Sequence, residues 1–242
     1  MQKQRLDKIV LEHGLASSRS QAESAIRLGH IKVNNTVIQK PGFFVAPDAI
    51  VTSVATEAYV SRAGLKLASV AAVLQLDFTN KIVLDVGSST GGFTDYALQH
   101  GAQKVFAVDI GTNQLHPSLR GHDKIILHEQ TDIRRFTPPE HVDIIVIDVS
   151  FISLRSILPH IAKLSGPKTQ IVAMCKPQFE AGNGAKHNGV IKNDAMRRKI
   201  LRDFENWAKQ LFVIVRKADS DVKGAKGNQE RFYLMHIVNK NT

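Results

Sequence analysis

The stretch KIVLDVGSSTGGFTD, residues 81–95, decides how the rest of the chain is read. It opens with an apolar run, Ile82 to Val86, broken only by Asp85. An apolar run without polar alternation marks a strand covered on both faces. Gly87, Gly91 and Gly92 follow, around the small hydroxyl residues Ser88, Ser89 and Thr90. The pattern predicts a turn at the strand end and a helix from Gly92 to Gln99, with Phe93 in its first turn. Glycine lets a backbone approach a ligand closely. Yet the spacing is not G-x-G-x-x-G, and no phosphate-loop lysine is present.

Working outward, the same texture recurs. KVFAVDI, KIILHE, VDIIVIDVS and TQIVAMCK read as further buried strands, and LFVIVRKAD and RFYLMHIV as two final ones. With the first strand this makes seven. GLKLASVAAVLQ predicts a helix ahead of them, and a longer helix is expected over 193–211. Buried strands alternating with helices specify an α/β fold with a mostly parallel sheet. EAGNGAKHNG (180–189) and KGAKGN (223–228) read as loops.

In such a sheet the ligand lies beyond the strand C-termini, where strand order reverses. Asp109 closes the second strand, where an acid can accept hydrogen bonds from both ribose hydroxyls of an adenosine-bearing cofactor. Asp132, after the third strand, is placed to meet an adenine amine. Asp85 would repel a pyrophosphate but suits the amine and sulfonium of S-adenosylmethionine. The residues therefore point to that cofactor, with Asp85, Gly87, Ser88, Ser89, Thr90, Gly91, Gly92, Phe93, Asp109, Asp132 and Asp148 around it. A flavin, NAD or a ligand-free sheet core are the alternatives.

Residues 1–60 form a different module. LDKIVLEHGL has helical spacing ended by Gly14. SSRSQAESAIRLGHI starts a second helix, with Ser17 or Ser18 as cap and Gly29 as its end. Asn34-Asn35 makes a turn between short strands, and AIVTSVA adds another. Net charge is +10, and the excess lies at both ends: residues 1–60 carry 7 basic and 5 acidic side chains, and 186–242 carry 13 and 6. That balance fits an RNA or DNA partner. A single cysteine, Cys175, excludes an internal disulfide and suits a reducing, cytoplasmic setting. The opening MQKQRLDKIV shows no signal-peptide core, and no apolar run approaches 18 residues, so no membrane span is expected. The histidines lack metal-ligand spacing, so no metal is expected.

Four charged residues stand at helix or strand ends: Lys66, Asp148, Lys176 and Glu230. Asp148 and Lys176 terminate strongly apolar strands, which weakens a reading as ordinary surface charges. Cys175, within a strand and without a histidine partner, reads as a core residue. Phe151 and Phe179 read either as base-stacking rings or as core.

The segment RLDKIV through SRSQAESAIRLGHIKVN to KPG resembles the ribosomal-protein-S4 type of RNA-binding domain. YVSRAGLKL, DVGSSTGGFTD, VIDVSFISL, CKPQFE and GNQERF together resemble the TlyA family, which joins such a domain to an FtsJ-like methyltransferase. One departure is Ser61-Arg62-Ala63-Gly64, where the family usually has Ser-Arg-Gly-Gly. The resemblance implies a Rossmann-like class I methyltransferase of residues 59–242 behind an S4-type domain of residues 1–58. It implies S-adenosylmethionine-dependent 2′-O-methylation of ribosomal RNA at cytidines, on rRNA or ribosomal subunits, by a Lys66, Asp148, Lys176, Glu230 set. Arg5, Arg19, Arg27, Lys32 and Arg62 are the expected RNA contacts. The alternatives are a non-catalytic RNA-binding protein or a cytolysin, the latter because family members are often labelled haemolysins.

The charged set makes chemical sense on its own. A ribose hydroxyl is a weak nucleophile that must be held in line and relieved of its proton. Lys176 can accept that proton when neutral, and Lys66 could supply a neighbouring positive charge, which favours the neutral amine.

Overall fold

The computed structural model describes residues 3–16, 19–27, 29–53, 59–181, 190–191, 193–224 and 227–238. Ser17, Ser18 and residues 182–189 of the expected 180–189 loop lie outside them. The chain divides into two compact units, Met1–Ala58 and Tyr59–Thr242.

In the first unit, α1 (Leu6–Glu12) and α2 (Arg19–Arg27) accompany two small sheets. One pairs β1 (Gln4–Arg5) with β4 (Phe44–Val45). The other runs β3 (Thr36–Val37), β2 (Ile31–Val33), β5 (Val51–Ser53). Asn34 and Asn35 both adopt positive φ, 47° and 64°, which suits a tight hairpin turn. Leu6, Val10, Ala22, Ile26 and Ile31 are buried in a core belonging to this unit alone.

In the second unit, α3 (Arg62–Leu74) precedes β6 (Ile82–Val86), α4 (Gly92–Gln99) and β7 (Lys104–Val108). Then come β8 (Ile125–His128), β9 (Ile144–Ile147), α5 (Leu158–Leu164), β10 (Gln170–Cys175) and the short α6 (Pro177–Glu180). The long α7 (Asp194–Ala208), capped by Asn193, leads to β11 (Phe212–Asp219) and β12 (Arg231–Ile237). All seven strands form one sheet, in the order β11-β12-β10-β9-β6-β7-β8. β10, β9, β6, β7 and β8 run parallel, while β12 is antiparallel to both neighbours.

β6, β7, β9 and β10 are buried nearly throughout, because cores cover both faces of the sheet. The expected two-sided burial fails at β8, and β11 is likewise open to solvent on one face. Ile126, Leu127, Val213 and Val215 are exposed. These are the edge strands, with a neighbour on one side only, and apolar sequence alone does not report position within a sheet.

The chain leaves β6 toward β7 and β8 on one side, then returns to place β9 on the other. Strand order therefore reverses between β6 and β9, and the loops after these two strands face the same crevice.

Candidate active site

The glycines after β6 answer to protein neighbours. Gly87 has φ +80°, and a Cβ there would lie 2.7 Å from the Asp148 carbonyl oxygen. A Cβ on Gly91 (φ +91°) would meet Leu119 and Leu115 at 2.5 and 2.7 Å. On Gly92 it would collide with Ser61 Oγ and with Ala63 Cβ, where the start of α3 crosses the start of α4. These glycines thus bring β9, α3 and the 115–119 segment against the loop, and only indirectly shape space for a ligand.

That space has two connected parts. A cavity of about 130 Å³ is lined by Asp85, Ser88, Thr90, Phe93 and Asp148. Asp85 is fully buried and accepts a 2.6 Å hydrogen bond from Thr94 Oγ1. Its Oδ1, like Ser88 Oγ, is buried without a hydrogen-bond partner. Burial pushes the Asp85 carboxyl up to about 7, opposed by the Thr94 bond and aided by nearby Asp148. An unpaired buried carboxylate oxygen is costly unless a ligand satisfies it.

The second cavity, about 380 Å³, shares Gly87, Ser89, Asp148 and Ser150 with the first and extends past Asp109 and Asp132. Asp109 accepts from Ser89 N at 2.8 Å and from Gly111 N at 2.7 Å, one bond to each oxygen. It therefore fixes the loop and still has lone pairs for further donors. Asp132 is held by Arg134, whose guanidinium keeps the carboxyl down at about 2. Ile110 and Phe151, 75% and 88% exposed, add apolar surface to this cavity. Phe151 is thus no core residue. Its φ of +70° is unusual for a bulky side chain and marks a constrained turn after β9.

The four charged residues form two ion pairs. Register sets the second: Ala173 pairs with Ile147 and Cys175 with Arg231, so Asp148, Lys176 and Glu230 all lie at one edge of adjacent strands. Lys176 Nζ is 2.6 Å from Asp148 Oδ1 and donates to Ser150 Oγ at 2.7 Å. Lys66, on the first turns of α3, is 2.6 Å from Glu230 Oε2. Lys66, Lys176 and Glu230 are buried. Glu230 compensates the Lys66 charge at contact distance, in the orienting role expected of that carboxylate. Cys175 is buried in the core, and burial raises its thiol well above the usual range, which removes it as a nucleophile.

A family model described as FtsJ-like methyltransferase matches residues 59–236, and one described as S4 domain matches residues 4–51. The chain belongs to the FtsJ-like methyltransferase family. It is 41% identical to the 23S rRNA (cytidine-2′-O)-methyltransferase TlyA of Campylobacter jejuni, over 80% of this chain and 77% of that one. It is 38% identical to Hemolysin A of Brachyspira hyodysenteriae, over 97% and 99%. Among solved structures, a hemolysin candidate from Streptococcus thermophilus superposes with a TM-score of 0.77 at 36% identity, covering 99% of this chain and 90% of that one.

Within the FtsJ-like domain, sequence reasoning overlooked several residues. Asp95 accepts from Val60 N at 2.7 Å and so ties the entry of the domain to α4. Glu180 accepts from Ser153 Oγ at 2.6 Å and Leu154 N at 2.7 Å, bracing the turn after β9 against α6. Glu180 is visible in CKPQFE, but nothing local reveals that its partners lie 26 residues upstream. Arg62 donates to the Lys223 carbonyl oxygen.

In the S4 domain, Asp7 is fully buried and gathers two of the expected RNA contacts. Arg5 donates to both its oxygens, at 2.9 and 2.8 Å, and Arg19 reaches it at 3.1 Å. The Arg5 bond holds the Asp7 carboxyl below its ordinary range. Both guanidiniums remain partly exposed, at 40% and 56%. Arg27 is exposed at the end of α2, and Lys32 is half-buried on the central strand β2.

Proposed function

We propose that this chain methylates ribose 2′-hydroxyls of ribosomal RNA at cytidines, with S-adenosylmethionine as donor. The observation that carries this reading is the Lys176–Asp148 ion pair, its lysine buried and its carboxylate lining the cavity at the strand-order reversal. The name of the Campylobacter relative supports the substrate and the 2′-hydroxyl. When bound, the cofactor supplies an electrophilic methyl: the ribose oxygen bonds its carbon, the carbon–sulfur electron pair stays on sulfur, and the hydroxyl proton must leave to a base.

The site's residues fit such a cofactor. Asp85 offers an unsatisfied carboxylate oxygen to a cationic group, and Asp109 has spare lone pairs for ribose hydroxyls. Asp132 is placed to meet an adenine amine, in competition with Arg134, and Ile110 offers apolar surface to the ring. Lys176 then holds the ribose hydroxyl and takes its proton, while Asp148 orients the amine. Lys66 and Glu230 form a compensated pair with each other. Arg5, Arg19, Arg27, Lys32 and Arg62 supply guanidinium and ammonium donors to RNA phosphates.

The test is transfer of labelled methyl from S-adenosylmethionine to purified ribosomal subunits and to naked rRNA, with ribose-protection mapping of the product. Label found on bases, or none on either substrate, would refute the assignment. Among the described residues no helix is long and apolar enough to cross a membrane, so the hemolysin name of one relative has no counterpart in such a segment.

Cofactor binding should be linked to protons through Asp85. A carboxyl titrating at about 7 in the folded protein, against an ordinary value of 3.8, is protonated below neutrality. A cationic ligand favours the ionised form, so affinity should rise with pH by roughly tenfold per unit below that value, then flatten. Without ligand the sign is opposite. The folded state holds a proton that the unfolded chain releases, so stability falls as pH rises from about 4 to about 7. Calorimetry at pH 6 in two buffers of different ionisation heat should detect proton release on binding, and Asp85→Asn should abolish it. A pH-independent affinity in the unaltered protein would remove Asp85 from the cofactor site.

RNA binding should be strongly salt-dependent. If about six phosphates are neutralised, a fourfold rise in salt weakens duplex binding by roughly 10³. Deleting residues 1–58 should cut rRNA affinity and flatten that slope, while the larger unit stays folded around its own two cores. Equal methylation by the truncated protein would show that the S4 domain is not the main RNA clamp.

A further inference from the structure

We propose that Ser150 is a positioning residue that aims the Lys176 amine at the ribose hydroxyl. The inference rests on the methyl-transfer reading above and adds a residue to its machinery.

A neutral amine is tetrahedral, with two N–H bonds and one lone pair beside its carbon. Lys176 Nζ has two oxygen neighbours at hydrogen-bonding distance, Asp148 Oδ1 at 2.6 Å and Ser150 Oγ at 2.7 Å. Only Ser150 Oγ makes a directed hydrogen bond with the amine; Asp148 Oδ1, though at contact distance, has no hydrogen-bond partner and holds the amine by charge. Ser150 Oγ takes one N–H of the neutral amine, the carboxylate's charge draws the second hydrogen to its own side, and the lone pair is left at the remaining vertex. With Asp148 alone, rotation about the Cε–Nζ bond would sweep the lone pair through orientations that miss the substrate. The hydroxyl thus removes the one rotational freedom that the carboxylate leaves.

The surroundings fix Ser150 in that role. It lines both cavities, together with Asp148. The next residue, Phe151, takes a φ of +70°, so the turn is held against its intrinsic preference. What holds it is on the other side of Lys176. Glu180, in the helix that begins one residue after Lys176, accepts from Ser153 Oγ and Leu154 N. The Phe151 and Phe179 rings also meet, with centroids 5.6 Å apart. The segments carrying Ser150 and Lys176 are therefore braced together at three points beyond their own bond. Ser150 is itself exposed, so nothing in the core depends on its hydroxyl.

During transfer the hydroxyl proton passes to the Lys176 lone pair as the ribose oxygen gains its methyl. Nζ then carries three hydrogens and a positive charge, with Ser150 Oγ accepting one hydrogen and the Asp148 carboxylate facing the charge.

The experiment compares Ser150→Ala, Ser150→Thr and Lys176→Met in the full chain. Ser150→Ala should lower the single-turnover rate by about 10²-fold, the order expected when a reacting group is misplaced. KM for rRNA and cofactor affinity should stay within about twofold, since the effect is confined to the transferring amine. Ser150→Thr keeps the hydroxyl and should recover most of the rate. A lysine-selective ¹H–¹⁵N spectrum gives a readout apart from activity. One ordered Nζ signal, assigned by its absence in Lys176→Met, should vanish in Ser150→Ala and persist in Ser150→Thr. An inactive Lys176→Met alongside an unimpaired Ser150→Ala would overturn the Ser150 inference and leave the methyl-transfer reading intact. Full activity in Lys176→Met would remove that amine from the reaction and the Ser150 inference with it. Absence of methyl transfer in the unaltered protein would overturn the reading itself, and an equal loss in Ala and Thr variants would refute positioning by the hydroxyl.

Discussion

Lys176→Met is expected to lower single-turnover methyl transfer by roughly 10²–10⁴-fold, the usual contribution of a positioned acid or base. Methionine keeps much of the length and the apolar stem, but it can neither take a proton nor hold an oxygen. Since the proposed role is exerted during transfer, the loss should fall on kcat, with cofactor and RNA affinities little changed. Removing one member of a buried ion pair is often strongly destabilising. Here the remaining Asp148 side chain is 17% exposed and borders the cavity, so water can reach it and the penalty is reduced. Melting temperature should be measured beside the rate to separate the two effects. Lys176→Arg divides the roles further, because a guanidinium keeps the charge and the bond to Asp148 yet never accepts a proton at working pH. A base role predicts that Arg is as inactive as Met. A purely positioning role predicts partial activity in Arg. Unimpaired transfer by Lys176→Met at saturating RNA and cofactor would eliminate both and shift attention to Lys66.

What the chain reveals before folding depends on how local each cause is. The central strands were legible because burial on both faces demands continuous apolar residues, and Ile144 to Ile147 or Ile171 to Cys175 meet that demand. Lys176 and Asp148 were legible because a charge that ends such a run marks a strand terminus. The edge β8 misled, since the same residue types occur there without a second neighbour. Ser150 stayed hidden because a hydroxyl after a strand has no periodicity. Its meaning comes from a lysine 26 residues later. Asp7 was missed for a related reason: Arg5 and Arg19 look like free surface cations until a buried carboxylate draws both inward. The loop glycines were noticed for a ligand's sake, whereas their closest constraints are Asp148 O, Leu119 and Ser61. Such packing partners lie on other elements, and only the topology brings them near.

Asp109→Ala should weaken S-adenosylmethionine binding by roughly 10²–10⁴-fold. Two hydrogen bonds from ribose hydroxyls to a charged acceptor are each worth about 1.5–3 kcal/mol, and each 1.4 kcal/mol is a factor of ten. The structure adds a second route to the same loss. The carboxylate also accepts from Ser89 N and Gly111 N, so alanine would release the loop that borders both cavities. The two routes separate in a double-mutant cycle against a cofactor analogue lacking the ribose hydroxyls. If Asp109 binds ribose directly, the analogue loses affinity for the unaltered protein but suffers little further loss in Asp109→Ala. If Asp109 acts through the loop alone, alanine weakens the cofactor and its analogue by the same factor. Lys176→Met provides the control, because it should bind cofactor normally while failing to transfer. Unchanged affinity in a folded Asp109→Ala protein would remove this carboxylate from the cofactor site altogether, and with it the reading of the larger cavity as a nucleoside pocket.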